Sequence, residues 1–211
     1  MKLSISILGI KNNELLDIIN NSQADYIHLD VMDGKFVNNK NLTPRELTAI
    51  IKQCKKPLDI HIMANQLKEY IYNIDLNNIE YITFHYESIN QISSSIKYIK
   101  EKNIKCGIAI KPSTPINILK PYLEEIDLIL IMSVEPGFSG QTFLTNTYNR
   151  IKEVKKMIAN KKIVIEIDGG INSNNIKQIS ENGADIVVVG SYITNSNNIN
   201  ETIKTLKEII S

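Results

Sequence analysis

The chain has 211 residues, 43% hydrophobic and 22% charged, which excludes an intrinsically disordered protein and leaves room for one large domain or two small ones. Lys+Arg (24) and Asp+Glu (23) leave a formal net charge of +1, which argues against a chain devoted to nucleic acid or to an anionic membrane. No apolar run has membrane-spanning length, Met1-Lys2-Leu3-Ser4 does not open a signal peptide, and Cys54 and Cys106 lack C-x-x-C spacing and read as small buried hydrophobes of a reducing compartment. The expectation is a cytoplasmic protein with a single domain over residues 1–211.

In chain order, short Ile-, Val- and Leu-rich runs at 3–8, 26–31, 58–63, 81–85, 105–110, 128–132, 163–167 and 186–189 read as strands. Helical patterns fall between them at 14–20, 89–101, 146–159, 174–181 and 201–210. A further helix opens at Thr43-Pro44-Arg45-Glu46, where Thr43 can cap, Pro44 suits the first helical position and Glu46 can complete a capping box. Strand starts lie roughly 20 to 35 residues apart, enough for a helical crossover and too far for a hairpin. Eight βα units predict an α/β chain closed into a (β/α)8 TIM barrel. The competing doubly wound sheet lacks a G-x-G-x-x-G after its first strand.

Strand parity sharpens the expectation. In Ile27-His28-Leu29-Asp30-Val31-Met32 the branched apolar residues share one face, while His28, Asp30 and Met32 share the other. Asp59, His61 and Met63 repeat the pattern, as do Glu166 with Asp168 and Ser4 with Ser6. A one-sided antiparallel sheet facing water would also alternate, but helical crossovers imply parallel strands covered by helices. The polar face then points into the barrel, where such folds carry their chemistry at the strands' C-terminal ends.

Two of the three histidines, His28 and His61, lie on that parity beside carboxylates, and Asp168 arrives from the seventh strand. Two imidazoles and two carboxylates suit one divalent ion, with zinc, iron, manganese and cobalt all compatible. Asp33-Gly34 is an ordinary turn dipeptide that needs no function. Gly169-Gly170 and Gly190-Ser191 follow strands seven and eight, the two loops from which barrels commonly build a phosphate cradle. No Walker motif is present, so a monophosphate rather than a nucleoside triphosphate is the expected anion.

Ser6-Ile7-Leu8, His28-Leu29-Asp30-Val31-Met32-Asp33-Gly34-Lys35-Phe36-Val37, Leu58-Asp59-Ile60-His61-Ile62-Met63 and Thr83-Phe84-His85-Tyr86-Glu87 come first along the chain. Lys111-Pro112, Met132-Ser133-Val134-Glu135-Pro136-Gly137-Phe138-Ser139-Gly140-Gln141, Ile167-Asp168-Gly169-Gly170-Ile171 and Val189-Gly190-Ser191 follow. In this order and spacing the chain closely resembles the ribulose-phosphate 3-epimerase family over almost its whole length.

The resemblance implies a (β/α)8 barrel that interconverts D-ribulose 5-phosphate and D-xylulose 5-phosphate in the pentose phosphate pathway, by two-base proton transfer at C3 through an enediolate. It implies that His28, Asp30, His61 and Asp168 bind the metal and that Asp30 and Asp168 are the acid/base pair. Ser6 and His61 would contact the sugar. Gly137, Phe138, Ser139, Gly140, Gly169, Gly170, Gly190 and Ser191 would hold the phosphate end. Met32, Met63 and Met132 would shield the reacting carbon, although core filling alone would account for methionines there. Related epimerases form dimers or hexamers, so the implied partners are a sugar phosphate and, by analogy, further copies of the chain. Gly9-Ile10-Lys11, Asn38, Ser139 and Tyr192 depart from the family pattern, and none of them removes an implied ligand. Rival readings are epimerisation of a six-carbon ketose phosphate such as allulose 6-phosphate, a lysine-dependent decarboxylase or aldolase using Lys111, and a catalytically silent barrel that binds metal or phosphate.

Overall fold

A computed structural model of the chain describes residues 1–8, 13–72 and 74–211. The departure at Gly9-Ile10-Lys11 lies outside the described residues. Eight parallel strands close in sequence order into one barrel: β1 (Lys2–Ser6), β2 (Tyr26–Met32), β3 (Leu58–Met63), β4 (Ile79–His85), β5 (Lys105–Ile110), β6 (Leu128–Met132), β7 (Val164–Asp168) and β8 (Ile186–Val189), with β8 pairing back onto β1. This is the (β/α)8 architecture the strand spacing predicts. β1 stops at Ser6 rather than at residue 8, and there the Ser6 hydroxyl accepts the Leu8 amide instead of a ladder bond forming. β7 runs one residue further than expected and so includes Asp168.

Around the strands lie α1 (Asn13–Asn20), α2 (Pro44–Ile51), α3 (Leu67–Tyr72), α4 (Ile92–Lys100), α5 (Thr147–Ile158), α6 (Ile176–Glu181), α7 (Ser191–Thr194) and α8 (Ile199–Ile209). α2 starts as its sequence predicts. Thr43 Oγ1 accepts the Glu46 amide while the Glu46 carboxylate accepts the Thr43 amide, a reciprocal cap worth about 1 kcal/mol. α4 begins three residues later than expected, because residues 86–88 form a 3-10 turn leaving β4. The β5–β6 crossover is a 3-10 segment, Ile116–Tyr122, with Pro115 at its start and Pro121 inside it. Proline cannot donate a backbone hydrogen bond, which keeps this segment from becoming a regular α-helix.

The alternation of side chains sorts the barrel into two environments. Ile27, Leu29, Val31, Leu58, Ile60 and Ile62 face outward and join Leu47, Ile96, Val154 and Ile203 of the helices in one continuous core, all within a few per cent of full burial. The inward face is layered. Tyr26, Tyr81, Leu128, Leu130 and Ile186 form an apolar cluster within it, and Met32, Met63 and Val37 form another at the strands' C-terminal ends. Among the buried residues of the inward face are Ser4, His28, Asp59, His61, Thr83 and Glu166, each wholly inaccessible to solvent.

Candidate active site

The pairing register brings the polar residues together. His28 stands opposite Asp59, and Asp30 opposite His61, across the β2–β3 ladder. Asp168 reaches the same point from β7, separated from β2 by β8 and β1. As a result His28, Asp30, His61 and Asp168 each offer a donor atom within 4.8 Å of the other three. His28 Nε2 lies 3.3 Å from Asp30 Oδ1, and His61 Nδ1 lies 3.2 Å from the same oxygen and 3.9 Å from Asp168 Oδ2.

Hydrogen bonds orient these ligand atoms. His28 Nδ1 is 2.7 Å from Asp59 Oδ2, which also accepts the Ser4 hydroxyl. With Nδ1–H given to Asp59, Nε2 of His28 is left as a fully buried atom with no hydrogen-bond partner. Ser6 Oγ donates to Asp30 Oδ2 at 2.8 Å, and Asn41 braces the end of β2 by accepting the Met32 amide and donating to the Asp30 carbonyl.

The charges are tuned in opposite directions. Burial alone would raise Asp30, but the neighbouring His28 and then His61 hold it far below the usual carboxylate range. Burial, reinforced by the Asp30 charge, pushes Asp168 up to about 6. Burial disfavours charge on His28, yet Asp59 and Asp30 raise it well above the ordinary imidazole value. Behind His28, burial and then Asp59 hold Glu166 well above a normal carboxylic acid, while His28 keeps Asp59 low against the opposing effect of its burial.

These residues fit a divalent ion. Atoms that share one divalent ion stand a few ångströms apart, and the separations of 3.2, 3.3 and 3.9 Å here, with all four residues offering atoms within 4.8 Å of one another, suit that. An unpartnered buried nitrogen beside a carboxylate, with two carboxylates facing a second imidazole, is a costly arrangement without a cation among them. The nitrogen–oxygen donor set accommodates zinc, iron, manganese or cobalt.

Above this cluster opens a cleft. Its walls include Ser6, Asp30, Asp168, Met32, Met63 and Met132 on the strand side, and Gly137, Phe138, Ser139, Gly140, Gly169, Gly170, Gly190 and Ser191 on the loop side. Every residue expected at the site is therefore on the cleft wall except His28 and His61, which are fully buried and do not line it. Among the described residues no lysine or arginine lines the cleft, so of these only backbone N–H groups and hydroxyls would meet an anion at its loop side. Ser133 Oγ, bonded to the carbonyls of Asp168 and Gly169, ties the ends of β6 and β7 together. Gln141 donates to the carbonyls of Glu135 and Phe138 and so braces the β6 loop. Tyr192, one of the departures from the family pattern, bonds Ser173 and links the two glycine-bearing loops.

Asp33, read as an ordinary turn residue, and Lys111, weighed as the lysine of a rival reaction, both have structural contacts. Asp33 accepts the amides of Lys35, Phe36 and Asn65, clamping two loops. Lys111 follows the end of β5 and sets its ammonium 4.3 Å from the centre of the Phe36 ring, away from the cleft wall. Sequence reasoning gave no role to Asp59, His85, Glu87 or Asn41. Parity marks Asp59 and His85 as inward-facing, but nothing in the sequence marks Asn41.

A closed parallel barrel carrying a His/Asp ligand cluster at the C-terminal ends of its strands, under a glycine-walled cleft, defines an enzyme of the (β/α)8 class. Comparison with known proteins narrows it. Residues 2–194 match the ribulose-phosphate 3 epimerase family, and the chain belongs to that family. It is 37% identical to "Ribulose-phosphate 3-epimerase" of Buchnera aphidicola subsp. Baizongia pistaciae (strain Bp), over 99% of this chain and 95% of that one. It is 33% identical to the protein of the same name from Bacillus subtilis (strain 168), covering 92% of this chain and 91% of that one. Among solved structures, 3-hexulose-6-phosphate synthase from Salmonella typhimurium superposes with a TM-score of 0.70 at 18% identity, covering 100% of this chain and 98% of that one, a likeness of fold alone. Among the described residues no helix is long and apolar enough to cross a membrane.

Proposed function

We propose that this one-domain barrel is a divalent-metal-dependent ribulose-phosphate 3-epimerase, interconverting D-ribulose 5-phosphate and D-xylulose 5-phosphate. The observation that carries the reading is the pair Asp30 and Asp168, two carboxyl groups that converge on one cluster from different walls of the barrel. Inverting a carbon beside a carbonyl requires one group that takes a proton and another that returns one to the opposite face. Two carboxyl groups reaching one bound carbon from different walls are suited to that division.

His28, Asp30, His61 and Asp168 would hold the ion, which when bound supplies Lewis-acid stabilisation of the negative charge developing on the substrate's oxygens. Asp30, held as a carboxylate, removes the C3 proton, and Asp168 delivers one from the other side; the reverse reaction exchanges the roles. Ser6, bonded to Asp30, contacts the sugar; His61, expected beside it, is fully buried with its two ring nitrogens turned to the cluster and to His85, and its role is to hold the ion. Met32, Met63 and Met132 keep water from the reacting carbon, and the loops bearing Gly137, Phe138, Ser139, Gly140, Gly169, Gly170, Gly190 and Ser191 hold the phosphate. The placement of Lys111 against Phe36 speaks against the lysine-dependent decarboxylase or aldolase reading, because among the described residues no lysine lines the cleft.

The test is exchange of the C3 proton of ribulose 5-phosphate with deuterated solvent, on metal-reconstituted protein. Asp30→Asn and Asp168→Asn should each lose at least the roughly 10²–10⁴-fold a positioned acid or base contributes, with an unchanged circular-dichroism spectrum. Near wild-type exchange in either variant refutes the assignment. Faster turnover of allulose 6-phosphate than of the pentulose would move the substrate to six carbons.

A further inference from the structure

His85 is fully buried and takes no part in the four-residue cluster, yet it touches one member of it. His85 Nε2 lies 2.9 Å from His61 Nε2. Two ring nitrogens at that separation share one proton, so the state of His85 dictates which nitrogen of His61 is protonated. On its far side His85 Nδ1 lies 3.1 Å from Glu87 Oε2. Glu87 is itself fixed, because its other oxygen accepts the Lys111 amide at 2.8 Å and the Thr114 hydroxyl. The Phe36 ring, centred 4.8 Å from that of His85, covers the pair, and the Lys111 ammonium rests over Phe36.

We propose that Glu87 and His85 are positioning residues that set the tautomer of His61, presenting its unprotonated Nδ1 to the cation cluster. A carboxylate can only accept, so His85 must give its Nδ1–H to Glu87. A neutral ring so committed has a lone pair at Nε2 and accepts there. The shared proton then belongs to His61 Nε2, and His61 Nδ1, 3.2 Å from Asp30 Oδ1 and 3.9 Å from Asp168 Oδ2, keeps the lone pair that a cation between these atoms would take; the competing tautomer is the one in which Nδ1–H donates to Asp30. The ionised state of Glu87 agrees with this. Burial would raise it, but the bonds from His85, Thr114 and the Lys111 amide bring it down to about 2. His28 reaches the same end by a shorter route, through Asp59 alone. Carboxylate-to-imidazole-to-metal chains of this kind fix ring orientation and raise ligand basicity.

The inference rests on the reading of the cluster as a metal site. Glu87→Gln keeps the shape but can place an amide N–H against His85 Nδ1. His85 then protonates at Nε2, the two Nε2–H groups oppose each other, and His61 is driven to the Nδ1–H form that cannot ligate. Imidazole nitrogen chemical shifts read the tautomers of the three histidines directly in chelator-stripped protein, and Zn²⁺ affinity is measured separately by competition with a chelator. The expected result is an Nε2–H form of His61 in the wild type, and in E87Q an Nδ1–H form with Zn²⁺ binding weakened about 10- to 100-fold. Thr114→Val, which loosens the same carboxylate without touching His85, should stay within about threefold of wild type.

A wild-type His61 carrying its proton on Nδ1 overturns the proposal, and this holds even if E87Q does not fold. Unchanged Zn²⁺ affinity in folded E87Q overturns it as well, as does an equal loss in T114V, which would reduce Glu87 to a loop anchor. If tautomers and Zn²⁺ affinity behave as stated but no C3 proton exchanges, the relay stands and the epimerase reading falls.

Discussion

Lowering the pH should expel the metal before it unfolds the barrel, and the site predicts by how much. Asp168, raised to about 6 by burial and by the Asp30 charge, is half-protonated in the metal-free protein at pH 6. His28, raised well above 6.5 by Asp59 and Asp30 against its burial, carries a proton there too. A divalent ion needs the lone pairs of both groups, so binding must displace those protons. Asp30, already held far down, releases none. Below pH 6 each displaced proton costs about 1.4 kcal/mol per pH unit, a tenfold drop in apparent affinity. With one proton from Asp168, already half-released at pH 6, and up to one from His28, affinity should fall about 5- to 50-fold from pH 6 to pH 5 and rise with pH up to neutrality. Calorimetric titration of Zn²⁺ into chelator-stripped protein at pH 5, 6 and 7, in buffers of different ionisation heat, gives both the affinity and the number of protons released. Asp168→Asn should bind more weakly at every pH and lose one proton from the slope. An affinity independent of pH between 5 and 7, with no proton release, would refute the electrostatic picture of the site.

Two further outcomes separate architecture from chemistry. Gly170 has φ +63, and a Cβ there would stand 2.5 Å from the Phe143 amide nitrogen and 2.7 Å from the Gln141 carbonyl, both immovable backbone; Gly140 has φ +75 with nothing within 4 Å. Gly140→Ala should therefore cost only the roughly 1–2 kcal/mol of a left-handed residue, whereas Gly170→Ala should lose more in urea denaturation and also raise KM for the sugar phosphate by displacing the β6 loop. Equal costs in the two variants would count against the packing argument. Glu166→Gln should gain stability relative to wild type as pH rises from 5 to 8. An acid whose folded pKa is raised contributes stability that is complete below the unfolded value near 4.5 and is lost on the way up to the folded one, at about 1.4 kcal/mol per unit. Parallel stability curves for the two proteins over that range would show that Glu166 is not held protonated.

What could be read in the sequence follows from how local each signal is. Parity along β2 and β3 needs only the period of two in an extended chain, and it placed His28 with Asp30 and Asp59 with His61 on one face, which the barrel inferred from strand spacing then made the inward one. Closure of the barrel followed from the spacing of strands. The six residues of α3 are too few to show a helical period, and the 3-10 crossover carries two prolines that look like loop residues. The roles of Asp59, His85 and Glu87 were out of reach for a different reason. They depend on which residues the register sets opposite one another, His28 against Asp59, and on a turn after β4 that folds Glu87 back beneath His85. Periodicity says which face a side chain takes, but not which neighbour it meets there.

That register also explains how a barrel of this size tolerates so many buried polar groups. Each cluster histidine gives one nitrogen to a hydrogen-bond chain directed away from the cleft, His28 to Asp59 and His61 through His85 to Glu87, and keeps the other for the site. The Asp59 carboxylate is in turn supported by the Ser4 hydroxyl, and burial with the Asp59 charge favours the neutral form of the nearby Glu166, whose carboxyl oxygens have no hydrogen-bond partner. Removing one partner from such a chain leaves a buried charge or lone pair without compensation, which costs more than the lost bond itself. The polar interior is therefore best understood as two chains that meet at the cluster, and a change at Glu87, which does not line the cleft, should be felt at His61 Nδ1.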